Sequence, residues 1–339
     1  MTNYKLTICI PTYNRADYLP SALESVLSQV TDRVEIAICD NGSVDNTPEI
    51  VASYVQKYPF IKFFRFEKNV GPDGCFIKAA EIATGEYFWF LGDDDAIEEG
   101  SIQTVLQALD ESPNLSGISV NRKIYDPTLS RELPYEPILP SLTRSRLYED
   151  ADACIKDLFI YFGYMSGQVC CKKVWEEAIC STPNVERYYK AYSILFLCSK
   201  MVLMKQRWLY LDSAYVKYRI DNDSFAAQLG LYNRFLLDVV EYKTIADGLF
   251  VLSPSLHQYC LNKVCKIHIL ARIIKIKASK GVKFFSIRAL ASMLPRYWKT
   301  ASFWCNAVPL LLMPGFVHGL LRWLYRKLRS IRNRTVQTS

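Results

Sequence analysis

Histidine is scarce. Of 339 residues only His257, His268 and His318 are histidine, and all three lie in the last quarter of the chain. The first 247 residues therefore cannot run Ser-His-Asp or Cys-His chemistry, or hold a histidine-ligated metal, with their own side chains. Acid is missing from the other end. Asp247 is the last Asp or Glu, and residues 248–339 carry 16 Lys or Arg and no acid. The preceding 247 residues hold 25 basic and 34 acidic side chains, so a body of net −9 carries a tail of net +16. The familiar phosphate loops are absent too. Ile10-Pro11-Thr12-Tyr13-Asn14-Arg15 stands where a G-x-G-x-x-G would follow the first strand, which argues against a dinucleotide fold. No G-x-x-x-x-G-K-[ST] occurs, which argues against a P-loop nucleotidase. The 11 cysteines are odd in number and form no C-x-x-C pair; Cys9, Cys39 and Cys198 sit in apolar surroundings. Buried free thiols in a reducing cytoplasm are expected, not a disulfide or zinc framework. No charged leader with an apolar core opens the chain, so no signal peptide is expected.

Half the residues are apolar, enough for one large or two modest domains. Residues 5–95 alternate between strand and helix patterns. Lys5–Ile10, Val34–Cys39, Ile61–Phe66 and Tyr87–Leu91 read as strands; Leu19–Leu27, a segment opening at Asp45-Asn46-Thr47-Pro48-Glu49, and Gly71–Ala83 read as helices. This order predicts an α/β fold with a mostly parallel sheet between helices, and ligands beyond the carboxyl ends of its strands. Further on, Ile97–Leu109 is expected to be helical and Asp126–Pro140 a proline-rich loop or lid. Ser166–Trp175 is expected to be a strand entering a helix, and Leu209–Ile220 a strand. After about residue 250 the pattern becomes helical, basic and aromatic.

The run Phe88-Trp89-Phe90-Leu91-Gly92-Asp93-Asp94-Asp95 places three like charges after apolar residues. Clustered carboxylates at a strand end suit a hard cation such as Mg²⁺ or Mn²⁺, which takes one or two protein carboxylates and completes its shell with water and substrate phosphates. The competing reading is a solvated turn that caps the next helix. Asp40 has two readings as well, an acceptor for a nucleotide base N–H or an Asx turn opening the Asn41-Gly42 bend.

Together, Ile8–Arg15 (ICIPTYNR), Cys39–Thr47 (CDNGSVDNT), Asn69-Val70-Gly71, Ala83–Tyr87 (ATGEY) and Phe90–Asp95 (FLGDDD) resemble the family 2 glycosyltransferases of the GT-A fold over roughly residues 4–225. The LGDDD form and Tyr218–Phe225 (YRIDNDSF) look most like abequosyltransferase-type enzymes of bacterial O-antigen assembly. The resemblance implies inverting transfer of one sugar from a nucleoside-diphosphate sugar to a lipid-linked oligosaccharide at the cytoplasmic face of the inner membrane. It places Pro11, Thr12, Tyr13, Asn14, Arg15 and Asp40, with Asn41, Ser43, Asn69 and Gly71, around the base and ribose, and Asp93 near the ribose. Metal ligation falls to the set Asp93, Asp94 and Asp95, with Asp94 and Asp95 both open as the residue that reaches the diphosphate. Asp221 stands where many relatives carry a metal-binding histidine, and Arg219 matches a late arginine that faces the phosphates. Many relatives carry a Glu-Asp pair whose aspartate deprotonates the acceptor; this chain has none after Trp175, and Glu186 is the candidate base. Two other functions are weighed against this one. A metal-dependent sugar nucleotidyltransferase would need a glycine-rich, lysine-bearing loop that Pro11–Arg15 is not. A non-catalytic sugar- or lipid-binding protein on a degenerate transferase fold is supported by the missing Glu-Asp pair and opposed by Asp40 and Asp93–Asp95.

The expected organisation is a transferase domain over 1–250, with a nucleotide-sugar half 1–125 and an acceptor half 126–250, followed by a basic amphipathic tail 251–339. Within the tail, Ala301–Leu321 is free of charge for 21 residues but is interrupted by Pro309, Pro314, Gly315 and Gly319. It admits interfacial attachment to an anionic membrane, a full span, or an ordinary packed helix. The interfacial reading puts Trp298, Phe303, Trp304, Phe316, Trp323 and Tyr325 at the bilayer surface. No nucleic-acid recognition motif accompanies the basic charge.

Overall fold

The computed structural model describes residues 4–134, 144–220, 222, 224–279 and 284–314. The chain forms two compact units, 1–222 and 223–339. The first opens with β1 (Leu6–Thr12), α1 (Leu19–Leu27), β2 (Val34–Asp40), α2 (Thr47–Lys57), β3 (Ile61–Arg65), α3 (Pro72–Ile82) and β4 (Tyr87–Phe90). It continues through β5 (Ala96–Ile97), α4 (Ser101–Glu111), β6 (Gly117–Tyr125), β7 (Arg146–Tyr148), α5 (Ala151–Leu158), β8 (Gln168–Cys171), α6 (Lys172–Cys180), α7 (Ser193–Lys205) and β9 (Trp208–Arg219). The strands form one sheet in the order β3-β2-β1-β4-β8-β6-β9-β5, with β7 on β9. β1–β4 are mutually parallel, as the strand–helix alternation requires. Beyond β4 the sheet is mixed: β8 runs antiparallel to β4 and β6, and β5 and β7 run antiparallel to β9.

Because side chains alternate across a strand, the two faces of the sheet bury different sets. Leu6, Ile8, Ile10, Ile36, Ile38, Trp89 and Leu91 pack on one face with Leu23 and Val26 of α1 and Val105 and Leu106 of α4. On the other, the Cys9 thiol donates to the Ala79 carbonyl of α3, and Phe88 meets Trp175 of α6 edge to face at 5.2 Å. Glu35 is buried here. Burial pushes its carboxyl up, but hydrogen bonds from Thr7 (2.7 Å) and Thr84 (2.5 Å from the backbone N–H) and the Lys62 ammonium (3.1 Å) outweigh it and hold the acid below its usual range.

Several boundaries differ from the sequence reading. β1 continues through Pro11 to Thr12, paired with β2, because its ladder with β4 stops at Cys9 and the missing proline N–H breaks nothing on that side. Ile97, expected in a helix, belongs to the two-residue strand β5, and the helix starts at Ser101 after Gly100, which is left-handed with φ 78°. Of the expected loop, residues 135–140 lie outside the described set. All 11 cysteines are free, and eight of them are buried.

The second unit is helical: α8 (Ser224–Leu249, interrupted at Gly230), α9 (Pro254–Val264), α10 (Leu270–Ser279), α11 (Phe285–Tyr297) and α12 (Val308–Leu312). α8 belongs here and not to a domain ending at residue 250. Its Phe235 packs edge to face on Phe285, and the Tyr297 hydroxyl donates to its Val239 carbonyl. No helix among the described residues is long and apolar enough to cross a membrane.

Candidate active site

The carboxyl ends of β1, β2 and β4 meet at one edge of the sheet, where the sequence puts its polar runs. After β1, Asn14 turns the chain with a positive φ of 53°, and its amide N–H donates to Ser43 Oγ at 2.9 Å. The Asn14 side chain accepts from the Val44 N–H, and the Arg15 N–H donates to Thr47 Oγ1. The loop Pro11–Arg15 is thus stitched to the loop after β2. That loop is shaped by Asp40, which is fully buried. Its Oδ1 accepts from the Ser43 N–H (2.9 Å) and hydroxyl (2.5 Å), and its Oδ2 lies 3.2 Å from Arg65 Nε. Asp40 therefore braces the Asn41-Gly42 bend from within, through Ser43 three residues on. Gly42 is left-handed with φ 75°, and a Cβ there would meet the Lys68 carbonyl carbon at 2.8 Å, so only glycine lets the loops approach. Asn41 closes the third side. Its Nδ2 donates to Asn69 Oδ1 and the Gly71 carbonyl, and its Oδ1 accepts from the Val70 N–H.

The three aspartates diverge. Asp93 faces the Arg15 guanidinium at 3.6 Å. Burial and the Asp94 charge push Asp93 up to about 7, against Arg15. Burial also raises Asp94, opposed by the Arg15 and Arg219 charges. Asp94 accepts from the Asn222 side chain at 2.7 Å, and Asn222 in turn accepts from Arg15 at 3.1 Å. Asp95 turns inward: it accepts from Ser166 Oγ (2.6 Å), Tyr164 OH (3.1 Å) and the Arg219 N–H (3.1 Å). Burial, then Asp94, push Asp95 up to about 7. Both Asp95 oxygens thus accept hydrogen bonds inside the protein.

Arg219 arches over the site. Its Nε donates to the Asp94 carbonyl (2.7 Å), its Nη1 to the Pro127 carbonyl (2.5 Å), and its guanidinium lies 5.0 Å from the Tyr18 ring centre. Arg15 lies 5.3 Å from the same ring, so both cations border one aromatic ring. Among the described residues no three His, Cys, Asp or Glu side chains converge as a metal cage. Asp221 lies outside the described residues. What remains, Asp93 and Asp94 as hard oxygen donors, fits a cation that keeps most of its shell for phosphate and water, not a closed site.

Asp73, at the start of α3, is buried and reaches across to the N-terminus of α7. Its carboxylate accepts from the backbone N–H groups of Ala191 and of Ser193 (2.9 Å). Burial holds its carboxyl above the usual range in spite of those bonds. Glu186 is exposed on the 3-10 turn Val185–Tyr188 just before this anchor, and nothing engages its carboxylate among the described residues. Burial and then the charges of Glu186 and Asp73 push the Tyr189 hydroxyl up to about 12, which places all three in one neighbourhood.

Sequence reasoning missed Asn222, Ser166, Tyr164, Tyr18 and Asp73. Asn222 stands inside the motif Tyr218–Phe225, between two acids. Ser166, Tyr164 and Asp73 carry no local signal, because their partners lie 69 to 120 residues away.

Comparison with known proteins accords with this geometry. The family model described as Glycosyl transferase family 2 matches residues 7–174. The chain is 27% identical over 272 residues to abequosyltransferase RfbV of Salmonella typhimurium, covering 77% of this chain and 80% of that protein. It is 32% identical over 108 residues to the GalNAc(5)-diNAcBac-PP-undecaprenol beta-1,3-glucosyltransferase of Campylobacter jejuni, covering 32% of this chain and 35% of that one. The fold resembles the mannosyltransferase PcManGT of Pyrobaculum calidifontis, solved with GDP-Man and Mn²⁺. There the TM-score is 0.55 at 14% identity, over 94% of this chain and 87% of that one.

Proposed function

The chain belongs to glycosyl transferase family 2, and from that premise we propose that it moves one sugar, with inversion, from a nucleoside-diphosphate sugar to a lipid-linked oligosaccharide in surface polysaccharide assembly. The observation that carries this reading is the meeting of Asp93, Asp94, Arg15 and Arg219 at the strand ends, a mixed-charge cradle suited to a diphosphate. The similarity to RfbV over most of both chains favours a deoxyhexosyl donor. The undecaprenol named for the Campylobacter relative favours a polyprenol-linked acceptor.

In this reading the stitched loops after β1, β2 and β3 hold the nucleoside. Asp40 fixes the loop in which the base sits, and Asp93 meets the ribose. Asp94, with Asp93, holds Mg²⁺ or Mn²⁺; when bound, that ion offsets the charge growing on the leaving diphosphate. Arg219 and Arg15 supply fixed positive charge at the same place, so the diphosphate is stabilised without rearrangement of the backbone. Donor binding frees Arg15 from Asp93 and Asn222, exchanging internal pairs for phosphate pairs. Direct displacement needs one base near the acceptor. We assign that role to Glu186, the uncommitted carboxylate on the turn beside the Asp73 anchor. Attachment to an anionic membrane through the basic second unit brings the enzyme to an acceptor that is itself confined there.

The test is a panel of nucleotide sugars incubated with the purified full chain and a polyprenol-diphosphate oligosaccharide, reading nucleoside diphosphate release. Release with one donor, dependent on acceptor and on Mg²⁺ or Mn²⁺, is the expected result. Absence of release across the panel with well-folded protein would refute it.

A further inference from the structure

α11 is apolar on two opposite sides. Inward, Phe285, Ala289, Met293 and Tyr297 repeat every four residues and are buried. Outward, Phe284, Ile287, Ala291, Leu294 and Trp298 follow at alternating steps of three and four, which is one stripe of a helix. These side chains stand in the open: Ile287 is 70% exposed, Leu294 42% and Trp298 55%. The stripe runs about 21 Å at the helical rise of about 1.5 Å per residue. Trp304 extends it. It is 51% exposed, its indole N–H donates to the Trp298 carbonyl at 2.7 Å, which satisfies its polar atom, and its ring rests edge to face on buried Phe303 at 5.0 Å. A water-facing helix stripe is ordinarily polar, and a continuous apolar one marks a docking surface.

Charge selects what docks. Arg288 and Lys299 border the stripe, and the Lys299 ammonium lies 5.1 Å from the Trp298 ring centre. The acids described in this unit, Asp238, Glu241 and Asp247, are all on α8, and α9–α12 contain none. A second copy would bring the same positive charge against this face and repel it, whereas an anionic surface complements it.

We propose that the outward stripe of α11, extended by Trp304, is a membrane-docking face whose occupant is the headgroup and upper acyl region of an anionic bilayer. This rests on the membrane-attached transferase reading and assigns that attachment to particular residues. It corrects one of them: Phe303, expected at the interface, is fully buried in the helical core. Phe316, Trp323 and Tyr325 lie outside the described residues.

The experiment uses the full chain without donor or acceptor, with vesicles of phosphatidylcholine alone or with about 30% phosphatidylglycerol, at low and high salt. Co-sedimentation reads the partition coefficient, and quenching by brominated lipid reads tryptophan depth. The triple variant Ile287→Gln, Leu294→Gln, Trp298→Gln is expected to lower partition at least about tenfold at both salt concentrations, since apolar burial is not screened. The pair Arg288→Gln, Lys299→Gln is expected to lower it a few-fold at low salt only. Thermal melting checks each fold, and Trp298→Phe, which keeps the apolar surface, is expected to lose part of the quenching while partitioning nearly as the parent does. Wild-type partition by a folded triple variant overturns the proposal. So does loss of a self-associated state in that variant with vesicle binding unchanged, which would make a second copy the occupant. Because no sugar is present, vesicle binding without transfer activity would refute the catalytic reading and leave this one standing.

Discussion

Asp95 in the first unit and Asp238 in the second are both buried carboxylates, yet their surroundings treat them in opposite ways. Asp95 shares its turn with Asp93 and Asp94, and the cations that border the turn are Arg15 and Arg219; burial and the neighbouring charge push Asp93 and Asp95 up to about 7. Asp238 is alone among Arg234, Arg272 (2.9 Å) and His268 (3.1 Å). Burial acts on it too, but His268, Arg234 and Arg272 together hold it well below the usual carboxylate range. A centre with surplus negative charge is held for something that arrives from solution. A centre whose acid is already outnumbered by cations is held for the fold. Burial alone distinguishes neither; the count of counter-charges does.

If this contrast is right, removing a carboxylate from each centre will have different consequences. Asp94→Ala should lower the rate of nucleoside diphosphate release by about a thousandfold or more, roughly 4 kcal/mol of transition-state stabilisation, while circular dichroism stays unchanged. EDTA should do the same to the parent, and Mg²⁺ should restore it; full activity in EDTA would break the comparison at its first member. Asp238→Ala should leave the donor Kd alone but destabilise the chain by about 3–5 kcal/mol in chemical denaturation, because it removes the buried acceptor that Arg234 and Arg272 share. The same centre sets an acid limit. A folded carboxylate held below its unfolded value contributes stability above about pH 4, and that contribution is lost as pH falls through the folded value. Asp238 and Glu35 both act in this direction, so stability should drop below about pH 4, and Asp238→Asn should flatten that drop while lowering the plateau.

Smaller effects sharpen the first centre. Asp40→Ala should raise the donor Kd about ten- to a hundredfold by calorimetry, from roughly 1.5–3 kcal/mol lost when a charged acceptor is removed from its loop. An unchanged Kd would confine Asp40 to holding its turn. Asp93→Asn should raise the melting temperature of the donor-free chain by about 2–4 °C, near 1 kcal/mol for a unit of this size, since like charges no longer crowd one turn. The comparison predicts no such gain at Asp238.

The parallel half of the fold was legible because β1–β4 and their helices alternate at short range, and each strand ends at its own polar run. The loops that form the cradle were legible for the same reason. What escaped depends on contacts with no trace in local pattern. Pro11 looks like a strand end until the ladder on each side of it is known. α8 reads as continuing the first domain until its buried face is seen against Phe285 and Tyr297. Asp93, Asp94 and Asp95 look equivalent in sequence; Ser166 and Tyr164, about 70 residues further on, make Asp95 different.

Asp73 has a consequence for how the chain is made. Its carboxylate is buried only when the backbone of Ala191 and Ser193 is present to bond it, and those residues are synthesised 118 to 120 positions later. At a typical rate of about 5–20 residues per second, the nascent chain carries β1–β4 with that acid unclosed for roughly 6–24 s. Until α7 arrives, the early strands and α3 remain an open half-sheet exposed to mispairing. The anchor of α3 is therefore closed only once the chain has reached Ser193, and the first unit only once β9 has followed, long after the strands that carry the aspartates have been made.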